Sequence, residues 1–411
     1  MNDKNKSVKI AFLTSTDPED KRSWSGIFYH TAQALQRHCG EVIYMVSTDT
    51  KKSAGKATFY KRLRNLLRKF SFARKYFVYN YRVSLARKFA AFAAKKLLEN
   101  PFDVVVAPAS LTEVAFLDTD IPIVLVEDAT FALLHNYYPQ YSNLTQSSVR
   151  TMNAISQRAI NKANLLIYST EWAARSAVED YHADPQKVHV VPMGANFEHI
   201  PSKEIIQERK KSDRCRLLFV GVDWQRKGGP TAFETLLSLE EMGIETELII
   251  CGCTPPNSFH HKSMRVIPFL DKNDESQRKE LEHLYLTSDF LLLPTRSECF
   301  GLVFCEANAF GLPVITTETG GVPEVVRNGE NGFVLPFNAR GVEYARVIAR
   351  IYREDEQYAE LVKSSRAAYD TRLNWDNWGK TVNALITEML HRASQEPCPV
   401  ERDGLVNWSA L

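Results

Sequence analysis

Two glutamates separated by seven residues are the first feature of this sequence that could do chemistry. Glu298 and Glu306 follow a short apolar run and Pro294, with Phe300-Gly301-Leu302 between them. The spacing predicts a helix that opens near Gly301, with Glu298 in the loop and Glu306 about two turns into the helix. Free N–H groups at a helix start suit a phosphate, and carboxylates accept hydrogen bonds from sugar hydroxyls. The pattern predicts a phosphate site at which one carboxylate could hold a hexose and the other a ribose; its alternative is a pair of acids on a helix surface.

A second pattern combines glycines with cations. Gly221 ends an apolar run, and Arg226 and Lys227 come directly before Gly228 and Gly229. Cationic side chains beside glycine N–H groups form an anion site. This pattern also predicts phosphate binding, and the alternative is a solvated loop before a helix.

Two other glycine patterns leave their roles open. Gly320 and Gly321, with Glu324 close behind, follow an apolar run, and Gly26 follows the first one. The Gly-Gly turn could cover a phosphate or simply connect a strand to a helix. A single glycine such as Gly26 decides nothing by itself.

These motifs stand at the ends of short apolar runs that alternate with helical patterns. Such alternation is typical of α/β units with parallel sheets, and runs that are apolar throughout suit strands covered on both faces. Two successive sets predict two Rossmann-like domains. The predicted strands are Val8–Leu13, Val42–Val46, Val104–Ala107, Ile123–Val126, Leu165–Tyr168, Val188–Val191, Leu217–Val220, Glu247–Cys251, Arg265–Pro268, Phe290–Leu293 and Val314–Thr316.

The predicted domain boundary lies at residues 192–196, where a strand ends and a polar stretch begins. We predict an N-terminal domain over 1–195, a linker over 196–213 and a C-terminal domain over 214–373. Apolar residues at helical spacing predict a last helix over 374–394, followed by a loose tail over 395–411.

Composition excludes several classes of protein. Of the 411 residues 44% are hydrophobic and 24% are charged, which is typical of a globular protein, and no apolar run is long enough for a membrane span. Seven scattered cysteines predict free thiols in a cytoplasmic protein. Cys251 and Cys253 lack the second pair that a zinc site needs, and Asp118 and Asp120 are interpreted as a turn, so no metal is expected.

Charge is distributed unevenly along the chain. Residues 51–96 contain fifteen Lys and Arg, ten aromatic residues and no acid, so the rest of the chain carries a net charge of −13. This basic aromatic block implies an anionic neighbour, which could be a membrane surface, an acidic acceptor or a nucleic acid.

Together these motifs resemble those of the retaining GT-B glycosyltransferases, specifically glycosyltransferase family four (glycosyl transferases group 1), over nearly the whole chain. The resemblance implies an α/β fold of two Rossmann-like domains that face a central cleft, with a C-terminal helix crossing back to the N-terminal domain. It implies a nucleotide-sugar donor in the C-terminal domain, an acceptor mainly on the N-terminal domain, and no cofactor or metal. The residues that it assigns to the donor are Gly26, Gly221, Arg226, Lys227, Glu298, Phe300, Gly301, Leu302 and Glu306.

The sequence departs from the family pattern at two places. Val222 stands where the family usually has Arg after the glycine, and Arg226 is the candidate replacement. Glu127 and Asp128 stand where the family often has His, so Asp128 or Glu127 is expected to face the reacting sugar. We therefore assign catalysis to Glu298, Lys227, Arg226 and Asp128. His135 lies nearby in the sequence and is interpreted as structural.

The expected activity is transfer of a sugar with retention, from a UDP-sugar by default with GDP and ADP open, to a glycan, glycolipid or related acceptor in polysaccharide biosynthesis. The alternatives are another GT-B activity such as epimerisation of a sugar nucleotide, and a non-catalytic protein that binds nucleic acid or an anionic surface. No nucleic-acid motif is recognisable in the basic block. The expected location is the cytoplasm, at the inner face of the membrane.

Overall fold

The computed structural model describes residues 7–47 and 82–395, and within them two parallel six-stranded sheets. The strand order is β2-β1-β3-β4-β5-β6 in the first sheet and β12-β11-β10-β7-β8-β9 in the second. The first sheet consists of β1 (Val8–Thr14), β2 (Gly40–Val46), β3 (Val104–Pro108), β4 (Ile123–Glu127), β5 (Leu165–Tyr168) and β6 (Val188–Val190). The second consists of β7 (Cys215–Val220), β8 (Thr246–Cys251), β9 (Met264–Ile267), β10 (Phe290–Leu293), β11 (Val314–Thr317) and β12 (Gly332–Leu335).

Helices cover both sheets, which is why the central strands are apolar on both faces. All residues of β3, β4 and β10 are buried. In chain order the helices are α1 (Ile27–His38), α2 (Val83–Leu97), α3 (Leu111–Val114), α4 (Phe131–Leu134), α5 (Gln146–Lys162), α6 (Glu171–Glu179), α7 (Lys203–Gln207), α8 (Gly229–Glu241), α9 (Glu275–Thr287), α10 (Leu302–Ala309), α11 (Val322–Val325), α12 (Gly341–Arg353), α13 (Asp355–Thr371) and α14 (Trp375–Gln395).

The strand orders decide where a ligand can bind. In each sheet the order of the strands reverses once. The reversal lies between β1 and β3 in the first sheet and between β7 and β10 in the second. Loops that leave neighbouring strands on opposite sides of such a point open a crevice at the carboxyl end of the sheet. The Gly26 loop follows β1, the Lys227 loop follows β7 and the Glu298 loop follows β10. The fold therefore gathers the predicted motifs at the two crevices.

The last helix returns to the first sheet. Asn374 caps the start of α14, because its side-chain Oδ1 accepts a hydrogen bond of 2.8 Å from the backbone N–H of Asn377. α14 then packs on α1, where Gly379 makes the approach close: an added Cβ would lie 2.5 Å from His38. The predicted fold class, including this crossing helix, is confirmed.

The eleven predicted strands are confirmed within one or two residues, but the sequence reading missed β12. This strand lies at the edge of its sheet, is four residues long and has two partly exposed residues in its middle. It therefore lacks the continuous apolar pattern of a strand covered on both faces. The predicted domain boundaries stay predictions.

Most of the basic block, residues 51–81, lies outside the described residues. Its remainder forms α2, which carries Arg87, Lys88, Lys95 and Lys96 and no acid. Among the helices that the structure describes, none is long and apolar enough to cross a membrane.

Candidate active site

The loop between β10 and α10 carries both predicted glutamates. Gly301 caps the helix with a φ of +92°, a left-handed conformation that favours glycine, and an added Cβ would lie 2.4 Å from the ring of Phe304. Because α10 begins at Leu302, Glu306 is its fifth residue, little more than one turn in rather than two. Glu298 precedes the helix, as predicted.

The two strongest motifs meet in an ion pair. Lys227 donates a hydrogen bond from Nζ to Oε2 of Glu298, and Nη1 of Arg226 lies 3.8 Å from the same oxygen. The Lys227 and Glu298 side chains are only 11% and 13% exposed. An added Cβ on Gly221 would lie 2.8 Å from Cγ of Lys227, so this glycine leaves room for the lysine side chain. The structure thus brings four predicted residues to one point.

Glu306 has partners of its own. Its Oε1 accepts a hydrogen bond of 2.5 Å from Nζ of Lys272, and its Oε2 accepts one of 3.0 Å from the buried hydroxyl of Tyr285. Lys272 also donates to the backbone oxygen of Asn196 at 3.3 Å. The sequence did not identify Lys272 as a candidate, because a lysine in the loop after β9 is what any solvated turn contains.

Gly26 lies in a left-handed turn opposite these residues. Trp24, Ser25 and Gly26 have φ values of 45°, 57° and 88°, and Gly26 is the residue before α1. The side chain of Asn196 donates to the backbone oxygen of Ser25 at 2.8 Å and accepts from the indole N–H of Trp375 at 2.8 Å. Asn196, in the segment that connects the two sheets, and Trp375, in the last helix, therefore fix the position of the Gly26 loop.

Asp128 and Glu127 face different surroundings, although they are adjacent. Asp128 is partly buried, is hydrogen-bonded by the side chain of Trp24 and lies close enough to Glu298 to feel its charge. Burial and the charge of Glu298 raise the pKa of Asp128 to about 6, against the effect of its hydrogen bonds. Burial, with the charges of Asp128 and Glu113, raises the pKa of Glu127 well above its ordinary value. Of the two acids, Asp128 therefore faces the loop that carries Glu298.

His135 is not brought to this point. Its described ring contact is with Phe131, at a centroid distance of 5.7 Å.

Phe300 is buried beneath the start of α10, while Leu302 is partly exposed there. The backbone N–H groups of Phe300, Gly301 and Leu302 thus stand at a helix start beside Glu298 and Lys227, where an anion is favoured.

The Gly-Gly motif lies at the contact between the two halves of the molecule. The carboxylate of Glu324 accepts hydrogen bonds from the backbone N–H groups of Glu171 and Trp172, at 2.6 and 2.8 Å. A carboxylate at this place satisfies the free donors at the start of α6. The sequence left two roles open for this motif, covering a phosphate or connecting two elements. The observed contacts add a third role, which is to dock the two halves.

No group of three or more His, Cys, Asp and Glu side chains within residues 7–47 and 82–395 is arranged to hold a metal ion. The expectation that the reaction needs no metal stays a prediction.

The chain is similar to known proteins in sequence and in fold. A D-inositol 3-phosphate glycosyltransferase of Corynebacterium glutamicum is 28% identical over 246 residues, which is 55% of this chain and 57% of that relative, so the match spans little more than half of the relative's length.

Two solved structures share the fold over almost their entire length. The sucrose-phosphate synthase of Thermosynechococcus elongatus has a TM-score of 0.66 at 15% identity, and covers 94% of this chain and 100% of its own. The Anabaena protein HepE, in a complex with UDP and glucose, has a TM-score of 0.61 at 16% identity, and covers 94% and 100%.

Two family models match the two halves in turn. Residues 27–199 match the model described as Glycosyltransferase Family 4, and residues 202–368 match the one described as Glycosyl transferases group 1. The two matches together take in most of the chain and every strand of its two sheets except β1, and the chain belongs to this family of glycosyltransferases with the GT-B fold.

Proposed function

We propose that this enzyme transfers a sugar, with retention, from a nucleotide-sugar donor to a glycan, glycolipid or related acceptor. One observation carries the proposal: the pairs Lys227–Glu298 and Lys272–Glu306 flank the start of α10, at the carboxyl end of the second sheet, where its strand order reverses. Cations and a helix start suit a diphosphate, and carboxylates suit sugar and ribose hydroxyls. We favour UDP as the nucleotide, which the UDP and glucose in the HepE complex support.

Each residue receives a role from its place in the site. Lys227 and Arg226, with the N–H groups at the start of α10, would stabilise the negative charge that develops on the diphosphate. Glu298 would hold hydroxyls of the transferred sugar, and Glu306 would accept from the ribose while Tyr285 holds its second oxygen. Gly26 would approach the diphosphate from the other side of the cleft.

The reaction breaks the bond between the anomeric carbon and the phosphate oxygen, whose electrons remain on the diphosphate. The sugar becomes positively charged as this bond lengthens, and the Asp128 carboxylate would stabilise that charge. The acceptor hydroxyl forms the new bond on the face that the diphosphate leaves, and a phosphate oxygen takes its proton. This route needs neither an enzyme nucleophile nor a metal.

Binding of nucleotides tests the donor assignment. We would measure thermal stabilisation by UDP, GDP, ADP and their sugars, with Mg²⁺ and with EDTA. A ligand at about 100 times its Kd stabilises by about 2.7 kcal/mol, so one nucleotide should stand out, and EDTA should not change its effect. If no nucleotide shifts the melting temperature, the donor assignment is wrong.

Product analysis separates the rival activities. Incubation with the best donor and an acceptor extract should yield a glycoside whose anomeric configuration matches the donor. A free epimerised sugar nucleotide would support the epimerase alternative instead. Salt-sensitive binding of RNA or DNA without nucleotide binding would support the non-catalytic alternative.

We also propose that a basic surface formed by α2 and α5 holds the enzyme against the cytoplasmic face of an anionic membrane, near its acceptor. Neither α2 nor α5 contains an acid. Their cations share a surface, because the guanidinium carbons of Arg87 and Arg158 lie 5.4 and 4.8 Å from the ring centroid of Phe116. Lys88 and Lys95 are exposed on the outer face of α2.

Sedimentation with vesicles tests this membrane contact. Lys88→Gln with Lys95→Gln should reduce the fraction of protein bound to vesicles that contain phosphatidylserine. Lys279→Gln with Lys363→Gln removes the same charge from exposed lysines elsewhere and is the control. Equal binding by the two double variants would show that net charge, and not this surface, attracts the vesicles.

A further inference from the structure

Two tyrosines of the N-terminal half reach across to the loop that carries Glu298. The Tyr137 hydroxyl accepts a hydrogen bond of 2.9 Å from the backbone N–H of Glu298 and lies 2.7 Å from Oγ1 of Thr319. The Tyr138 hydroxyl accepts one of 3.2 Å from the backbone N–H of Cys299. Two consecutive N–H groups of this loop are thus satisfied by phenolic oxygens from the other half of the molecule.

The Gly-Gly turn makes this approach possible. An added Cβ on Gly320 would lie 2.6 Å from the Tyr137 hydroxyl and 2.1 Å from the backbone oxygen of Glu298. An added Cβ on Gly321 would lie 2.6 Å from Cγ2 of Thr170. A side chain at Gly320 would hold Tyr137 away from the loop, and one at Gly321 would collide with Thr170 of the N-terminal half, so the contact explains the motif whose role the sequence left open.

Packing aims both hydroxyls. The two tyrosine rings meet edge to face at 5.3 Å, and Tyr137 also lies 5.7 Å from the ring of Trp172. The guanidinium carbon of Arg226 lies 5.4 Å from the ring centroid of Tyr138. Burial and the charge of Glu298 raise the pKa of Tyr138, so its hydroxyl stays neutral at physiological pH.

We propose that Tyr137 and Tyr138 are positioning residues, which fix the loop of Glu298 for sugar transfer when the two halves of the enzyme close. The inference rests on the proposed transferase function. Within its own half, the Glu298 side chain is held by its ion pair with Lys227 and by Arg226, whose Nη1 lies 3.8 Å from the same oxygen. The tyrosines instead fix the backbone on which Glu298 stands.

The inference separates binding from transfer. Lys227 and Glu306, which we assign to the nucleotide, both belong to the second sheet and the helices around it. Loss of a tyrosine hydroxyl leaves both of them in place, and it acts most strongly at the sugar end of the donor, which Glu298 holds. Removal of the tyrosine hydroxyls should therefore lower kcat and hardly change the affinity for UDP.

Phenylalanine substitutions test this division. Tyr137→Phe and Tyr138→Phe should each lower kcat about fivefold and the double variant about 25-fold, as expected for the loss of one neutral hydrogen bond each. The Kd for UDP, measured by titration, should stay within about twofold of wild type. Hydrogen exchange of residues 295–301 in the presence of UDP should be faster in the double variant.

Tyr181→Phe is the matched control. The Tyr181 hydroxyl also accepts a backbone N–H, from Ala132 at 3.0 Å, but both residues lie in the N-terminal half. This variant should lose comparable thermal stability while keeping wild-type kcat and wild-type exchange in residues 295–301.

Unchanged kcat in the double variant would overturn the proposal, and so would a loss of UDP affinity as large as the loss of kcat. If the wild-type enzyme transfers no sugar from any donor, the proposed function fails first. Hydrogen exchange then decides the positioning role, and exchange in the double variant equal to that of wild type would overturn it.

Discussion

Asp128→Asn should make the protein more stable at neutral pH while it weakens catalysis. Burial and the charge of Glu298 raise the pKa of Asp128 to about 6, from an ordinary value of 3.8. A raised folded-state pKa means that folding favours the protonated acid, so its stabilising contribution is present at low pH and is lost as pH rises through about 6. A rise of the pKa from 3.8 to about 6 corresponds to about 3 kcal/mol, which is the free-energy cost of keeping the carboxylate charged above that pH.

Asparagine removes this cost and keeps an oxygen that can accept from Trp24. The free energy of unfolding should rise by up to about 3 kcal/mol at pH 8 and by about half of that at pH 5, where Asp128 of the folded wild-type protein is mostly protonated. Urea unfolding of both proteins at the two pH values measures the difference. The kcat of Asp128→Asn at pH 8 should fall, because a neutral amide stabilises a positively charged sugar less well than a carboxylate does.

Two results would refute this reasoning. A gain in stability that is the same at pH 5 and pH 8 would show that it does not come from titration of Asp128. A loss of stability at pH 8 would show that the carboxylate is stabilised, and not strained, by its surroundings. Stabilisation together with full activity would leave the pKa argument standing and remove Asp128 from the catalytic residues.

Three other substitutions, the last with a matched control, test the site and its scaffold. Lys227→Ala should weaken UDP binding by about 10- to 100-fold, because it removes a charge-assisted hydrogen bond to the diphosphate; unchanged affinity by titration would contradict this role. Glu306→Ala should weaken UDP binding about tenfold and uracil binding hardly at all, and equal losses for both ligands would exclude a contact with the ribose. Gly228→Ala should cost at least about 3 kcal/mol in urea unfolding, because the new Cβ would lie 1.8 Å from the backbone oxygen of Pro294. Gly243→Ala has a similar φ and nothing within 4 Å, so it should cost only about 1 kcal/mol, and equal losses would refute the steric argument.

The sequence predicted the scaffold of the site because the scaffold depends on local patterns. Strands covered on both faces must be apolar throughout, and this identified every strand except the half-exposed edge strand β12. In parallel α/β units the loops after the strands share one edge, so motifs that follow apolar runs were expected to converge. The pairing of Lys227 with Glu298 agrees with that expectation, although 71 residues separate them.

Other features depend on how distant segments pack, and no local pattern encodes them. Glu127 and Asp128 are adjacent acids with similar sequence context, and only the packing of Trp24 and Glu298 against one of them distinguishes the two. Lys272 is unremarkable as a residue type, and it gains a role because the β9 loop lies over Glu306.

The contact of Tyr137 and Tyr138 with the loop of Glu298 shows the same division most clearly. A sequence can show that Gly320 and Gly321 form a turn without a side chain, because glycine is a local property. It cannot show which side chain fills the space, since that choice is made where the two halves of the chain meet. The sequence by itself thus determined the elements and the chemistry that each can offer. The tertiary structure decided which groups face one another across the cleft, because burial, charge and hydrogen-bond partners are properties of the packed interface.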